Sequence, residues 1–187
     1  MKKSLGADTI LYTTPVLVIA TYDKKDVANA MTAAWGGICC SKPPCIAVSL
    51  RSATYSHGNI IEHKAFTVNI PSEKHVKEAD YFGMASGRNE NKIKKSGLTA
   101  VKSEIVDAPY IKEFPLVLEC QLKEIVEVGL HTQFIGEIKD VKADKNVIKP
   151  DGTLDVGKIK PFVFLPDCRG YYGLGKKIAQ AFSVGRL

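Results

Sequence analysis

The chain has 187 residues, 45% apolar and 25% charged, the balance of a folded globular protein rather than a disordered tail. That length supports one real core and is short for two full domains, so residues 1–187 are read as a single domain. A formal charge of +6 invites nucleic acid, but the lysines are scattered, with only three in the densest cluster, Lys92 to Lys95. Charge of this size equally suits a phosphate-bearing small ligand.

In chain order, Pro15 to Thr21 alternates and is β-branched, which predicts a strand. Tyr22 to Asp26 turns the chain, and Val27 to Thr32 returns as the second arm of a hairpin. A short polar loop and the breaker pair Pro43-Pro44 separate this arm from a third strand, Cys45 to Leu50. Thr54 is placed to cap a helix from Tyr55 to His63, and Ala65 to Ile70 is again a strand. Ser72 is placed to cap a helix carrying Val76, Ala79, Tyr81 and Phe82 at helical spacing. The glycine-punctuated segment Gly83 to Gly97 reads as a loop with room for a helical turn.

Leu116 to Val128 and Thr132 to Ala143 are long strands meeting at Gly129-Leu130-His131, a hairpin with a histidine near its tip. Pro161 to Leu165 is read as a final buried strand, and Gly173-Leu174-Gly175 leads into a C-terminal helix around Lys176 to Phe182. Many strands with a few short helices point to a mainly β fold, an antiparallel β-barrel with appended α-helices. No run of 18 apolar residues is present and the N-terminus lacks a signal-peptide core, so a cytoplasmic protein with no membrane partner is expected.

Several chemistries find no motif. No glycine-rich dinucleotide or Walker-type loop follows a strand, G-x-S-x-G is absent, and the four histidines lack H-x-x-x-H spacing. Five cysteines without a C-x-x-C form neither a disulfide framework nor a paired zinc site, and are read as buried or half-buried free thiols. A redox role for Cys39 or Cys40 stays open because they lie close to the candidate site.

That site is Asn29-Ala30-Met31-Thr32-Ala33-Ala34-Trp35. Small side chains leave backbone N–H groups approachable, and the only tryptophan offers a flat surface for stacking, which together suit a planar, anionic ligand. Arg51 at a strand end and Ser56 and His57 opening the next helix add cationic and helix-terminal groups that favour an anion.

The same run, with Ser41-Lys42-Pro43-Pro44, Ile46 to Arg51, Phe66-Thr67-Val68-Asn69-Ile70-Pro71, Lys92 in its loop and Gly170-Tyr171-Tyr172-Gly173-Leu174-Gly175, resembles the flavin-reductase-like FMN-binding proteins. The pieces occur in the same order over nearly the entire chain. The resemblance implies a split β-barrel that forms a homodimer, with non-covalent FMN near the subunit interface. It implies that Asn29 bonds the flavin's polar edge, that Met31, Thr32, Ala33 and Ala34 lend main-chain groups, and that Trp35 contacts the flavin or closes its pocket. Ser49, Leu50 and Arg51, with Ser56 and His57, would hold the phosphate and ribityl chain, Lys92 would supply charge to the phosphate, and His131 and Phe164 match positions bordering the ring.

The function so implied is electron transfer or NAD(P)H-dependent flavin reduction. Hydride is accepted at the flavin and passed to a small acceptor or a redox protein partner, so no residue need act as a strong acid or base. Two alternatives remain at this point: a non-catalytic module that carries FMN, and a nucleic-acid-binding barrel.

Overall fold

A computed structural model describes residues 1–186. Strand β1 is Thr14–Pro15, followed by β2 (Leu17–Tyr22) and β3 (Ala28–Ala33). The predicted hairpin pairs Leu17 with Ala33 through to Tyr22 with Ala28. Asp23 closes its turn, the carboxylate accepting from the N–H groups of Lys25 and Val27 at 2.8 and 3.0 Å.

The segment read as a polar loop after Trp35 is instead a strand, β4 (Gly36–Ser41), paired antiparallel with β5 (Pro44–Arg51). Helix α1 (Tyr55–His63) and β6 (Ala65–Ile70) match their predicted ranges. A 3₁₀ turn at Glu73–His75 precedes α2 (Val76–Met84), and the Ser72 side chain makes no capping bond. Helix α3 (Lys92–Ser96) is the short helical turn allowed for in the segment read as loop. The Asn91 side chain caps its start by accepting from the Lys94 N–H at 3.0 Å, and Gly97 ends it in the left-handed region.

Strands β7 (Ala100–Lys102) and β8 (Pro109–Ile111) form a small sheet that the sequence reading missed. The long hairpin follows as β9 (Leu116–Val128) and β10 (His131–Ala143), then α4 (Val156–Ile159), β11 (Phe162–Leu165) and β12 (Gly170–Gly173). Strand β11 is therefore not the final strand, and of its residues only Phe162 is fully buried. No helix forms over residues 176–182. Ile178 and Phe182 are each 97% exposed, so that segment has no surface of this chain on which to bury an apolar face.

The main sheet has the order β3-β2-β6-β9-β10-β5-β4, antiparallel throughout. Its edge strands β3 and β4 are consecutive in the chain, joined only by Ala34 and Trp35, so the sheet must curl back on itself. The Ser49 N–H donates to the Trp35 carbonyl at 2.8 Å and seals the corner. The result is the expected antiparallel barrel.

Inside it pack Leu17, Ile19, Val48, Leu50, Phe66, Val68 and Phe134. Gly136 is required there, because a Cβ would stand 2.5 Å from the Phe66 ring. On the outer face Val16, Val18, Ala20 and Ala30 pack with Ala79 and Phe82 of α2 and Ile93 of α3. Strand β2 is thus buried on both faces, which is why its sequence is a continuous apolar run.

Helix α1 is tied down at its last residue. His63 places Nδ1 2.7 Å from an Asp107 carboxylate oxygen and Nε2 3.0 Å from the Asp23 carbonyl. Both partners are acceptors, an arrangement that favours the imidazolium form. Burial pulls its pKa down, but the Asp107 hydrogen bond and the Asp23 carbonyl outweigh it, and the net shift is upward from 6.5. A raised folded pKa gives stability that is full below the unfolded value and lost as pH rises through the folded one. Denaturant midpoints should therefore fall as pH rises above 6.5, and Asp107→Asn should flatten that slope. An unchanged slope in Asp107→Asn would show that this pair does not couple to folding.

No helix among the described residues is long and apolar enough to cross a membrane. Cys45 and Cys120 are buried as expected, but Cys39, Cys40 and Cys168 are exposed, because the first two lie on edge strand β4 and the third in the turn after β11.

Candidate functional site

Strand β3 and the corner after it form one wall of two adjoining cavities that share Gly83. The smaller, about 210 Å³, is lined by Asn29 and Met31 of β3, residues 53–56 at the start of α1, residues 82, 83 and 85–88 around the end of α2, and Lys92. The larger, about 490 Å³, is lined by Thr32, Ala33, Ala34, Trp35 and Phe164, together with Asp80, Met84, Arg169 and Tyr171.

The smaller cavity is built for an anion. The Thr54 hydroxyl donates to the Arg51 carbonyl at 2.8 Å and does not cap α1, and the first turn of that helix has no acidic residue. Its leading N–H groups therefore keep their partial positive charge with no side-chain acceptor. Two cations face the same space. Arg88 donates to the Ala53 carbonyl at 2.8 Å and stacks 5.4 Å from the Tyr55 ring centre. Lys92 is only 4% exposed, and its ammonium donates to the Phe82 and Ala85 carbonyls at 3.0 and 2.9 Å, the open end of α2. Two of its three N–H bonds are thereby used. Burial pushes its pKa down to about 8, with Glu90 pulling weakly the other way. Lys92 thus opens a helix and is buried, whereas the sequence places it in an open loop.

Asn29 is a wall of the smaller cavity. Its Nδ2 donates to the Ser56 hydroxyl at 2.8 Å, but its buried Oδ1 has no partner. A buried carbonyl without a donor costs about 1–3 kcal/mol, a penalty that a ligand donor would relieve. Gly87 presses its backbone against this side chain, since a Cβ there would lie 2.1 Å from Oδ1.

The larger cavity has Trp35 and Phe164 among its walls. The Phe164 and Tyr171 ring centres lie 5.6 Å apart. The Tyr171 hydroxyl donates to Asp80 at 2.9 Å, and burial followed by that bond pushes its pKa up to about 12, so it stays a neutral donor. Thr32 donates to the Ala79 carbonyl, which fixes β3 against α2.

The structure thus gathers Asn29, Met31, Thr32, Ala33, Ala34, Trp35, Ser56, Lys92 and Phe164 around one cleft. Ser49, Leu50, Arg51, His57 and His131 line neither cavity. Leu50 points into the barrel core, and the Ser49 backbone holds the Trp35 corner. His131 pairs with Arg51 at the barrel end. His57 donates through Nε2 to the Thr132 hydroxyl at 2.8 Å, which in turn donates to Glu127, and its ring lies edge-on to Phe134.

Tyr55, Asp80, Gly87, Arg88 and Arg169 were missed by the sequence reading. The only cue was Ser86-Gly87-Arg88, a small-glycine-cation run directly after a helix. Among the described residues, no group of three or more His, Cys, Asp or Glu side chains could hold a metal ion.

The chain and its fold are similar to known proteins. Residues 9–165 match the model of the flavin reductase like domain. The fold superimposes on flavoredoxin of Desulfovibrio vulgaris (Miyazaki F) with a TM-score of 0.96 and 52% identity over 100% of both chains. It superimposes on flavoredoxin from Methanosarcina acetivorans with a TM-score of 0.91 and 28% identity, over 100% of this chain and 98% of that one. A high molecular weight rubredoxin of Moorella thermoacetica is 32% identical over 172 residues, 91% of this chain and 69% of the relative. The chain spans 64%, 51% and 64% of the length of the first three curated relatives it matches.

Proposed function

The chain belongs to the flavin reductase like family, and on that premise we propose that residues 1–187 are a single FMN-binding redox domain. The observation that carries this reading is the paired cleft. An anion-binding end with an uncapped helix start and two cations adjoins a broader end walled by Trp35 and Phe164. A flavin mononucleotide has that polarity, a phosphate at one end and a planar ring at the other. The orphaned Asn29 Oδ1 supplies a further fit, since it needs a donor that the protein does not provide.

The start of α1, Arg88 and Lys92 would hold the phosphate. Asn29 and Ser56 would take the polar chain, and the β3 backbone with Trp35 and Phe164 would frame the ring. Bound FMN supplies a two-electron carrier able to accept hydride from NAD(P)H and pass electrons onward. The protein's own task is then to bind, orient and shield. Tyr171 stays protonated with its one hydroxyl proton donated to Asp80, which leaves its oxygen as a fixed hydrogen-bond acceptor at the ring end. We further infer a cytoplasmic homodimer that serves a small-molecule donor or acceptor.

A second reading, an FMN carrier that exchanges electrons only with a protein, is favoured by the rubredoxin name of one relative. Anaerobic addition of NADH or NADPH to the FMN-loaded protein separates the two. Loss of the flavin absorbance with either nucleotide supports a reductase. Absorbance that persists until a reduced redox protein is added removes the reductase reading in favour of the carrier.

A further inference from the structure

Strand β4 carries an irregularity that the flavin site does not use. Ile38 pairs with Ile46, but the next pairing is Cys40 with Cys45, so β4 has one extra residue, Cys39. This is a β-bulge, in which two residues of one strand oppose a single residue of the other. Cys39 and Cys40 together therefore face Cys45 across the β4–β5 ladder. Directly opposed residues in an antiparallel pair have Cα atoms about 4.5–5.5 Å apart, inside the range of about 4.4–6.8 Å that a disulfide spans.

The thiols differ in access. Cys39 and Cys40 are exposed, while Cys45 is 2% exposed. The Cys40 thiol leans toward the turn, its Sγ 3.4 Å from the Lys42 carbonyl. Burial pushes the Cys45 thiol up, and Cys40 and Cys39 are the next causes, in keeping with their proximity. The other two cysteines lack this arrangement. Cys120 sits in the barrel core with its pKa pushed up to about 12, and Cys168 stands in the β11–β12 turn with the Tyr172 hydroxyl 3.9 Å away.

We propose that Cys40 and Cys45 form a reversible dithiol site that reacts with small aliphatic disulfides to close a cross-strand disulfide. The exposed Cys40 thiolate attacks one sulfur of R–S–S–R, forming a mixed disulfide and releasing RS⁻, which takes up the Cys40 proton. Cys45 then loses its proton and attacks the Cys40 sulfur. The second RS⁻ leaves and takes up that proton. Two protein thiols are oxidised by two electrons, and the small disulfide is reduced to two thiols. The bulge brings an exposed attacking thiol and a sheltered resolving thiol to one point on the ladder. The site does not depend on flavin and stands apart from the proposed function.

The test exposes the full-length protein to oxidised glutathione, followed by intact mass and peptide mapping. The proposal expects a species two hydrogens lighter, loss of two of the five free thiols, and a linked peptide joining Cys40 to Cys45. Cys40→Ser, a change at an exposed position, should remove that species, and dithiothreitol should restore the wild-type thiols. Glutathione adducts alone on Cys39, Cys40 or Cys168 would overturn it. So would a light species that persists in Cys40→Ser.

Discussion

Lys92→Met is expected to weaken FMN binding about 10- to 100-fold, read from the quenching of FMN fluorescence on titration. Hydrogen bonds to charged groups are worth about 1.5–3 kcal/mol, and each 1.4 kcal/mol is about tenfold. Lys92 is buried, its ammonium already donates to the Phe82 and Ala85 carbonyls, and it lines the smaller cavity proposed for the phosphate. A phosphate there would receive a charge held in place at no further ordering cost.

The pH dependence follows from the lowered pKa. Wild-type affinity for FMN should decline as pH rises through about 8, where Lys92 loses its proton, and Lys92→Met should be flat over the same interval. The ligand-free protein should behave in the opposite sense. Its folded state binds fewer protons at this site than the unfolded chain, so this group's contribution to stability rises between about 8 and 10.5 and is lost as pH falls through 8. Equal slopes for wild type and Lys92→Met in the binding titration would take Lys92 out of the phosphate site.

Gly87→Val is expected to abolish tight FMN binding, by at least about tenfold, and to lower stability by about 1–3 kcal/mol through overpacking. A Cβ at this position would stand 2.1 Å from Asn29 Oδ1 and 2.8 Å from the Tyr55 ring. Neither neighbour gives way freely. Asn29 is held by Ser56, and Tyr55 is held by its hydroxyl bond to Asp23 at 2.9 Å and by Arg88 on its face. The substitution would push Asn29 off Ser56 and fill the space at the start of α1. Denaturant unfolding alongside the FMN titration separates the two effects. Affinity equal to wild type in a folded Gly87→Val protein would place the ligand elsewhere.

The elements legible in the sequence are those whose signal is local. Helix α1, strand β6 and the β9–β10 hairpin follow from alternation, β-branching and turn residues, and their ranges agree closely with the structure. Strand β4 was not legible because Gly36 to Ser41 has little strand propensity. It is a strand because the chain reverses at Lys42-Pro43 and pairs it with the strongly strand-forming β5. The expected C-terminal helix fails for the converse reason, a helical pattern with nothing to pack against.

The site divides in the same way. Asn29 to Trp35 could be read as ligand-facing because small residues ending in a tryptophan are locally unusual. Arg88, Gly87 and Tyr171 join the cleft only when the chain folds back over β3, a long-range event with no periodic mark. The burial of Lys92 was equally hidden, since it depends on α3 delivering that side chain to the end of α2. The family resemblance supplied the cofactor that the residues alone left as a planar anion.

The most direct test of the central claim is titration of the purified protein with FMN, followed by fluorescence and visible absorbance. The cleft predicts saturable quenching at one FMN per chain, with a perturbed flavin spectrum that Trp35→Ala alters while the protein stays folded. FMN fluorescence that remains at its free value throughout the titration would contradict it.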